Sequence, residues 1–269
     1  MDPAAFRAQF PVLERVAYLN TGTDGPVPLA AAEAARGELD RQLQHGRVAA
    51  HFERRFALQD ELRGGYAALL GVPAEEIALT TSASEGMGRF LGGMDLGPGD
   101  EILTSDEEHP GLLGPLAAAR AVGVGVRMAP LACLHEAVTP ATTVVACSHV
   151  GWISGRLAPP ELAQLDVPVL LDGAQGAGAI PVDPAALGCA GYAAAGQKWL
   201  CGADGTGFLW LAPEWAERIR ATAPSYMTLE EPVRGLDSPL RAGARRHDTP
   251  ALGAEVVAFS AAALRVLAA

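Results

Sequence analysis

Two apolar runs of strand length, TTVVACSH at 142–149 and VPVLLDG at 167–173, restrict this chain more than any other feature. A strand apolar on both faces of the pleat cannot sit in a sheet with one wet side. It has to be covered above and below, as strands of parallel sheets are. A glycine-rich loop follows the first run, and AQGAGAIP follows the second.

Around these runs, helix and strand patterns alternate. HFERRFALQDELRGGYAALLG (51–71) carries Phe52, Phe56, Leu62, Tyr66, Leu69 and Leu70 at three- to four-residue intervals, with Gly71 and Pro73 as stop signals. The spacing predicts an amphipathic helix with these side chains on its apolar face. EIALTT (76–81) reads as a strand and SASEGMGRFLGGM (82–94) as a turn entering a helix. DEILTSD (100–106) is a second strand, PGLLGPLAAARAVG (110–123) a helix, and VGVRMAP (124–130) an extended segment. TGFLWLAP (206–213) is a further strand. The alternation predicts an α/β protein with a mostly parallel sheet covered by helices on both faces. TPALGAEVVAFSAAALRVLAA (249–269) reads as an apolar helix, which must bury against the main body or against a domain that follows.

Composition excludes some functions. The net charge of −11 argues against nucleic-acid or anionic-membrane partners, which need a basic surface. No apolar run has membrane-spanning length, and MDPAAFRAQF lacks the features of a signal peptide. The four cysteines, Cys133, Cys147, Cys189 and Cys201, form no CxxC pair, which reads as reduced thiols in a cytoplasmic protein. The six histidines show no metal-ligand spacing, so no metal site is expected.

Ligands of open α/β sheets sit beyond the carboxyl ends of the strands. The residues there form a short series: Ser82, Ala83 and Ser84, then His109, then His149 and Trp152, then Asp172 and Gln175, then Lys198. Lys198, in AAGQKWLCG (194–202), is the only lysine; every other basic residue but the histidines is arginine. Arginine stays protonated, whereas a desolvated lysine can attack a carbonyl. Each residue has a role if the ligand is pyridoxal phosphate. Ser82 to Ser84 offer a helix N-terminus to a phosphate. Asp172 would face a protonated ring nitrogen, Gln175 the ring hydroxyl and His109 the ring face. Lys198 would bond the cofactor and shuttle protons at the substrate's α-carbon. Taken singly, the same residues have plainer readings: Asp172 as a loop cap, His109 as a turn residue, Ser82 and Ser84 as N-caps, His149 as a core histidine. His45, His51, His135 and His247 read as surface residues. A nucleotide-binding oxidoreductase is the rival on the same architecture. However, LLDGAQGAGAIP (170–181) has GxxGxG rather than GxGxxG, and Pro181 interrupts any following helix.

The block LLDGAQGAGAIPVDPAALGCAGYAAAGQKWLCGADGTGFLWL (170–211) resembles the signature of the class V aminotransferase family, which includes cysteine desulfurases, isopenicillin-N epimerase-like enzymes and C–S lyases of the ergothioneine pathway. YLNTGTDGPVP (18–28) resembles the family's N-terminal substrate loop, TTSASEGMG (80–88) its phosphate loop, and EEHPGLLGP (107–115) its stacking-histidine segment. SHVGWISGRLAP (148–159) is similar to the loop that faces the cofactor ring, and RRHDTPAL (245–252) to a segment whose threonine reaches the neighbouring subunit's phosphate. The resemblance implies the large domain of the fold type I PLP-dependent transferases and pyridoxal 5'-phosphate as cofactor. It implies Lys198 as the Schiff-base lysine, Asp172, Gln175 and His109 on the ring, and Trp152 in the ring-facing loop. Ser82, Ala83, Ser84 and Thr249 fall to the phosphate, and a homodimer acting on a small amino acid is expected.

The sequence departs from the desulfurase pattern at Gln197 (usually histidine), Ala195 (usually serine) and Trp152 (usually asparagine), which leans towards the epimerase or C–S lyase branch. On this reading, residues 1–20 form an N-terminal segment and residues 21–250 the cofactor-binding large domain. Residues 251–269 form a helix leading towards a small C-terminal domain that is absent or truncated. Neither that domain's carboxylate-binding arginine nor the desulfurase cysteine is found, and Cys201 reads as packing. A truncated, non-catalytic member that binds cofactor or only dimerises is the alternative expectation.

Overall fold

The computed structural model describes residues 1–269. Seven strands form one sheet: β1 (Ile77–Thr80), β2 (Glu101–Ser105), β3 (Gly125–Ala129), β4 (Thr142–Ser148), β5 (Val169–Asp172), β6 (Gly191–Ala195) and β7 (Gly207–Leu211). The helices are α1 (Pro3–Ala8), α2 (Leu29–His45), α3 (Ala49–Leu70), α4 (Ala83–Gly93), α5 (Pro110–Ala121), α6 (Pro213–Ala216) and α7 (Ala254–Leu267). Across the sheet the strand order is β1-β7-β6-β5-β4-β2-β3. Strands β6, β5, β4, β2 and β3 are mutually parallel, and β7 runs antiparallel between β1 and β6. β1 therefore points the same way as β6. The carboxyl ends of β1, β2, β4, β5 and β6 all reach one edge of the sheet, where the helices and loops that follow them begin.

Period-two alternation divides the strands between two cores. Leu79, Val145, Leu171 and Phe208 face α3 and α7, packing with Leu58, Leu62, Tyr66, Val257 and Ala258. Their sequence neighbours Ala78, Val144, Leu170 and Leu209 face α4 and α5, packing with Met87, Phe90, Leu112 and Leu116. Both faces are covered, as the apolar runs require.

The apolar face of α3 differs from the sequence expectation. The buried row is Leu58, Leu62, Tyr66 and Leu70, spaced four apart, whereas Phe52, Phe56 and Leu69 are 47%, 40% and 38% exposed. The first turns of α3 meet α2 rather than the sheet, through Arg54 on the buried carboxylate of Glu38. The guanidinium of Arg55 lies 5.2 Å from the ring centre of Phe52 and 5.9 Å from that of Phe56. The C-terminal apolar helix is likewise not bare. α7 packs along α2 and α3, with Ala262 and Ala263 against Ala31 and Leu264 against Gly65. Its apolar surface is thus covered within the chain and provides no argument for a dimer. His247, expected at the surface, is fully buried, and its Nε2 lies 3.0 Å from the Ala216 carbonyl oxygen. No helix is long and apolar enough to cross a membrane.

Candidate active site

A cavity of about 830 Å³ opens at the carboxyl edge of the sheet. Its lining includes His109, Trp152, Gln175 and Lys198, together with Asn20, Asp24, Gln197 and Trp199. Four of the sequence-predicted residues thus meet in one space, from four different strand ends.

Lys198 lies in the β6–β7 connection and is partly buried. Burial pushes its ammonium below the ordinary lysine range, while the charges of Asp172 and Asp24 pull it back up. Its ammonium therefore gives up a proton more readily than that of an exposed lysine. The connection is held in place from the N-terminal loop. Gly25 N–H donates to the Gln197 carbonyl at 2.7 Å, and a Cβ on Gly25 would come within 2.2 Å of the Lys198 carbonyl oxygen. Only glycine permits that approach.

Asp172 ends β5 and is 5% exposed. Oδ1 accepts from the Ala174 N–H at 2.9 Å, so the loop-cap reading holds for one oxygen. Burial pushes its carboxyl above the ordinary aspartate range; the Ala174 hydrogen bond and the charges of Lys198 and His109 offset this in part. It forms no ion pair within the chain, leaving a buried acid short of a cationic partner.

His109 caps the N-terminus of α5, its Nδ1 accepting from Gly111 N–H at 2.9 Å. That bond places the proton of the neutral ring on Nε2. Burial, then the Lys198 charge, hold the imidazole below its usual range against the pull of Asp172. Trp152 meets His109 edge to face, with centroids 5.1 Å apart.

Gln175 is largely occupied within the chain. Its Nε2 donates to the Gly22 carbonyl and its Oε1 accepts from Trp199 Nε1, both at 2.8 Å. One N–H and one lone pair of Oε1 stay free for a ligand. Gln197 Oε1 is a buried acceptor without a partner.

Ser82, Ala83 and Ser84 form the N-terminus of α4 but do not line the cavity. The Ser82 hydroxyl accepts from Glu85 N–H at 3.1 Å, the plain capping role. No acceptor in the chain takes the Ala83 or Ser84 N–H. Ser84 Oγ points towards the turn of His109 and Gly111, 2.8 Å from where a Gly111 Cβ would lie. Thr249 is not brought to the cavity. It is 7% exposed and donates its N–H to the Leu79 carbonyl at 2.8 Å, sealing the outer edge of β1.

Glu108 and Asp24 were not singled out in the sequence. Glu108, 5% exposed, accepts from Ser148 N–H at 2.9 and 3.0 Å and from Ser148 Oγ at 2.6 Å, and also bonds Ser105 Oγ. It ties the loop that carries His109 to the end of β4. Its only sequence signal is adjacency to His109. Asp24 lies inside the quoted N-terminal loop, where its charge carries no mark in the sequence. His149 takes the core role, with Nδ1 3.0 Å from the hydroxyl of buried Tyr192.

Known proteins place these observations. The family model described as aminotransferase class-V matches residues 26–263. Isopenicillin N epimerase of Streptomyces clavuligerus is 29% identical over 254 residues, covering 88% of this chain and 63% of the relative. Cysteine desulfurase CsdA of Escherichia coli (strain K12) is 31% identical over 241 residues, covering 81% of this chain and 59% of the relative. The chain therefore spans about six tenths of the length of these curated relatives. The solved complex of the cystine C–S lyase C-DES with its product cysteine persulfide superposes with a TM-score of 0.91 at 28% identity, covering 97% of this chain and 74% of that one. A C-DES mutant with glycine covalently linked to its PLP cofactor gives a TM-score of 0.90 at 28% identity, covering 96% and 73%. With a family model matched over most of its length and a fold shared with these solved structures, this chain belongs to the class V aminotransferase family.

Proposed function

We propose that this chain binds pyridoxal 5'-phosphate and acts at the α-carbon of a small amino acid, by aminotransferase or by cysteine desulfurase/C–S lyase-like chemistry. One observation carries the reading: the only lysine, its ammonium weakened by burial, shares a cavity with His109 and Trp152 beside a buried, unpaired Asp172. The residues fit the cofactor. A buried carboxylate without a cation suits a protonated pyridine nitrogen. The free N–H groups of Ala83 and Ser84, with the Ser84 hydroxyl, suit a phosphate at a helix N-terminus. Gln175 can donate to a ring oxygen through its remaining N–H.

Pyridoxal phosphate, when bound, withdraws electrons from the substrate's α-carbon and so acidifies its bonds. Asp172 would keep the ring nitrogen charged. His109, fixed by Gly111 and by the Glu108 clamp, orients the ring. Lys198 Nζ would supply the amine that holds the cofactor and the base that moves a proton at Cα. Free thiols at all four cysteines support a cytoplasmic setting, and family membership supports a homodimer. The acidic charge supports a small-molecule partner. The direct test is absorbance. Wild type with added pyridoxal phosphate should turn yellow and lose the band with borohydride; Lys198→Ala should never develop it. A wild type that shows no band would overturn the reading.

A further inference from the structure

Among the residues lining the cavity, Asp24 is the only carboxylate, and no arginine is present. Its backbone is fixed at several points. Asp24 N–H donates to the Asn20 carbonyl at 3.0 Å, its own carbonyl accepts from Tyr18 Oη at 2.6 Å, and the next residue, Gly25, is bonded to Gln197. Its carboxylate takes no hydrogen bond and no ion pair within the chain. The anchored loop sets this one charge, exposed to solvent, at the rim of the cavity. Asp172, and after it Asp24, act on the Lys198 amine and oppose the effect of burial there. Trp152 and Trp199 line the same space, and indole faces accept cations.

We infer that Asp24 is a charge-selecting residue of this cavity, favouring amino acids whose side chain carries a positive charge and disfavouring those with a side-chain carboxylate. The inference rests on the reading above that the cavity receives an amino acid. It narrows that substrate to the cationic class.

Two measurements on the full chain test it separately from that reading. The first needs no cofactor. Lys198 is the sole lysine, so reductive labelling with small aldehydes, followed by peptide mass analysis, reports the field at its amine. Betaine aldehyde is the cationic probe, glyoxylate the anionic probe and glycolaldehyde the neutral reference. The cationic-to-anionic labelling ratio at Lys198 should be about tenfold higher in wild type than in Asp24→Asn at low salt, and the difference should shrink as salt is added. Equal ratios would overturn the inference.

The second measurement uses the protein with pyridoxal phosphate and three five-carbon amino acids: ornithine, norvaline and glutamate. Spectral titration of wild type should rank ornithine above norvaline above glutamate, with about tenfold or more between the extremes. Asp24→Asn should bring the extremes to within about threefold, the residual expected once the local charge is gone. Glutamate binding as well as ornithine in wild type, or an unchanged ratio in Asp24→Asn, would contradict it. If no visible band forms, the cofactor reading fails on its own, and calorimetric titration of the same three amino acids still decides the charge order.

Discussion

At the scale of single residues, the site is a set of ionisable groups moved away from their ordinary ranges. Asp172 is the clearest, with burial raising its carboxyl. A carboxyl whose folded pKa is raised contributes its full stability below the ordinary aspartate range, and that contribution is lost as pH rises through the folded value. Asp172→Asn should therefore make the cofactor-free protein more stable than wild type near neutral pH, while the two should converge in acid. The same variant should hold pyridoxal phosphate about a hundredfold less tightly, the scale of breaking a buried charge pair. Thermal melts across pH, with a cofactor-retention assay alongside, check both halves. An apo Asp172→Asn protein less stable than wild type at neutral pH would show that the acid is satisfied within the chain. Glu101 behaves oppositely: hydrogen bonds from Arg127 hold it below the usual glutamate range, so its contribution is lost as pH falls. The buried Cys189 and Cys201 carry no comparable activation. Burial pushes Cys189 up to about 12 and Cys201 up to about 11, so neither is a thiolate near neutrality.

At the scale of elements, what matters is how closely loops can approach the sheet edge. The N-terminal loop rests on the β6–β7 connection only because Gly25 has no side chain; a Cβ there would lie 2.2 Å from the Lys198 carbonyl oxygen and 2.9 Å from Cys201 Sγ. Gly25→Ala should cost about 1–3 kcal/mol of stability, the usual range for overpacking. Because the loop would lift away from Lys198, cofactor retention should fall as well. A melting temperature and a visible band both equal to wild type would refute the tight docking. The strands and helices that build this edge were legible because apolar runs and three- to four-residue spacings report burial. The face that α3 turns inward was not fully legible. Phe52 and Phe56 have the right spacing, but the turn they occupy meets α2 and the ion pair of Glu38 with Arg54 instead of the sheet. His247 was misplaced because a polar residue can be buried when a backbone carbonyl satisfies it, and sequence does not show that carbonyl.

At the scale of the whole molecule, one sheet covered on both faces gives the site a rigid floor. Leu62, in the core shared by α3, α7 and the sheet, is fully buried. Leu62→Ala should destabilise the chain by about 2–5 kcal/mol through lost burial and the cavity left behind. A denaturant titration measures this, and a loss below 1 kcal/mol would mean that the core there is not close-packed. Much of the candidate site was readable from its order along the chain, since strand ends gather at one edge in any sheet of this kind. What sequence order could not give is the use each side chain already has within the chain. Gln175 spends two of its polar groups on Gly22 and Trp199, Ser82 spends its hydroxyl on a helix cap, and Thr249 lies buried against β1.

The most direct test of the account is to incubate the protein with pyridoxal phosphate, reduce with borohydride, digest and map the adduct by mass. The account predicts a phosphopyridoxyl group on the peptide containing Lys198 and its absence from that peptide in Lys198→Ala. Wild-type protein whose Lys198 peptide stays unmodified under saturating cofactor would contradict it.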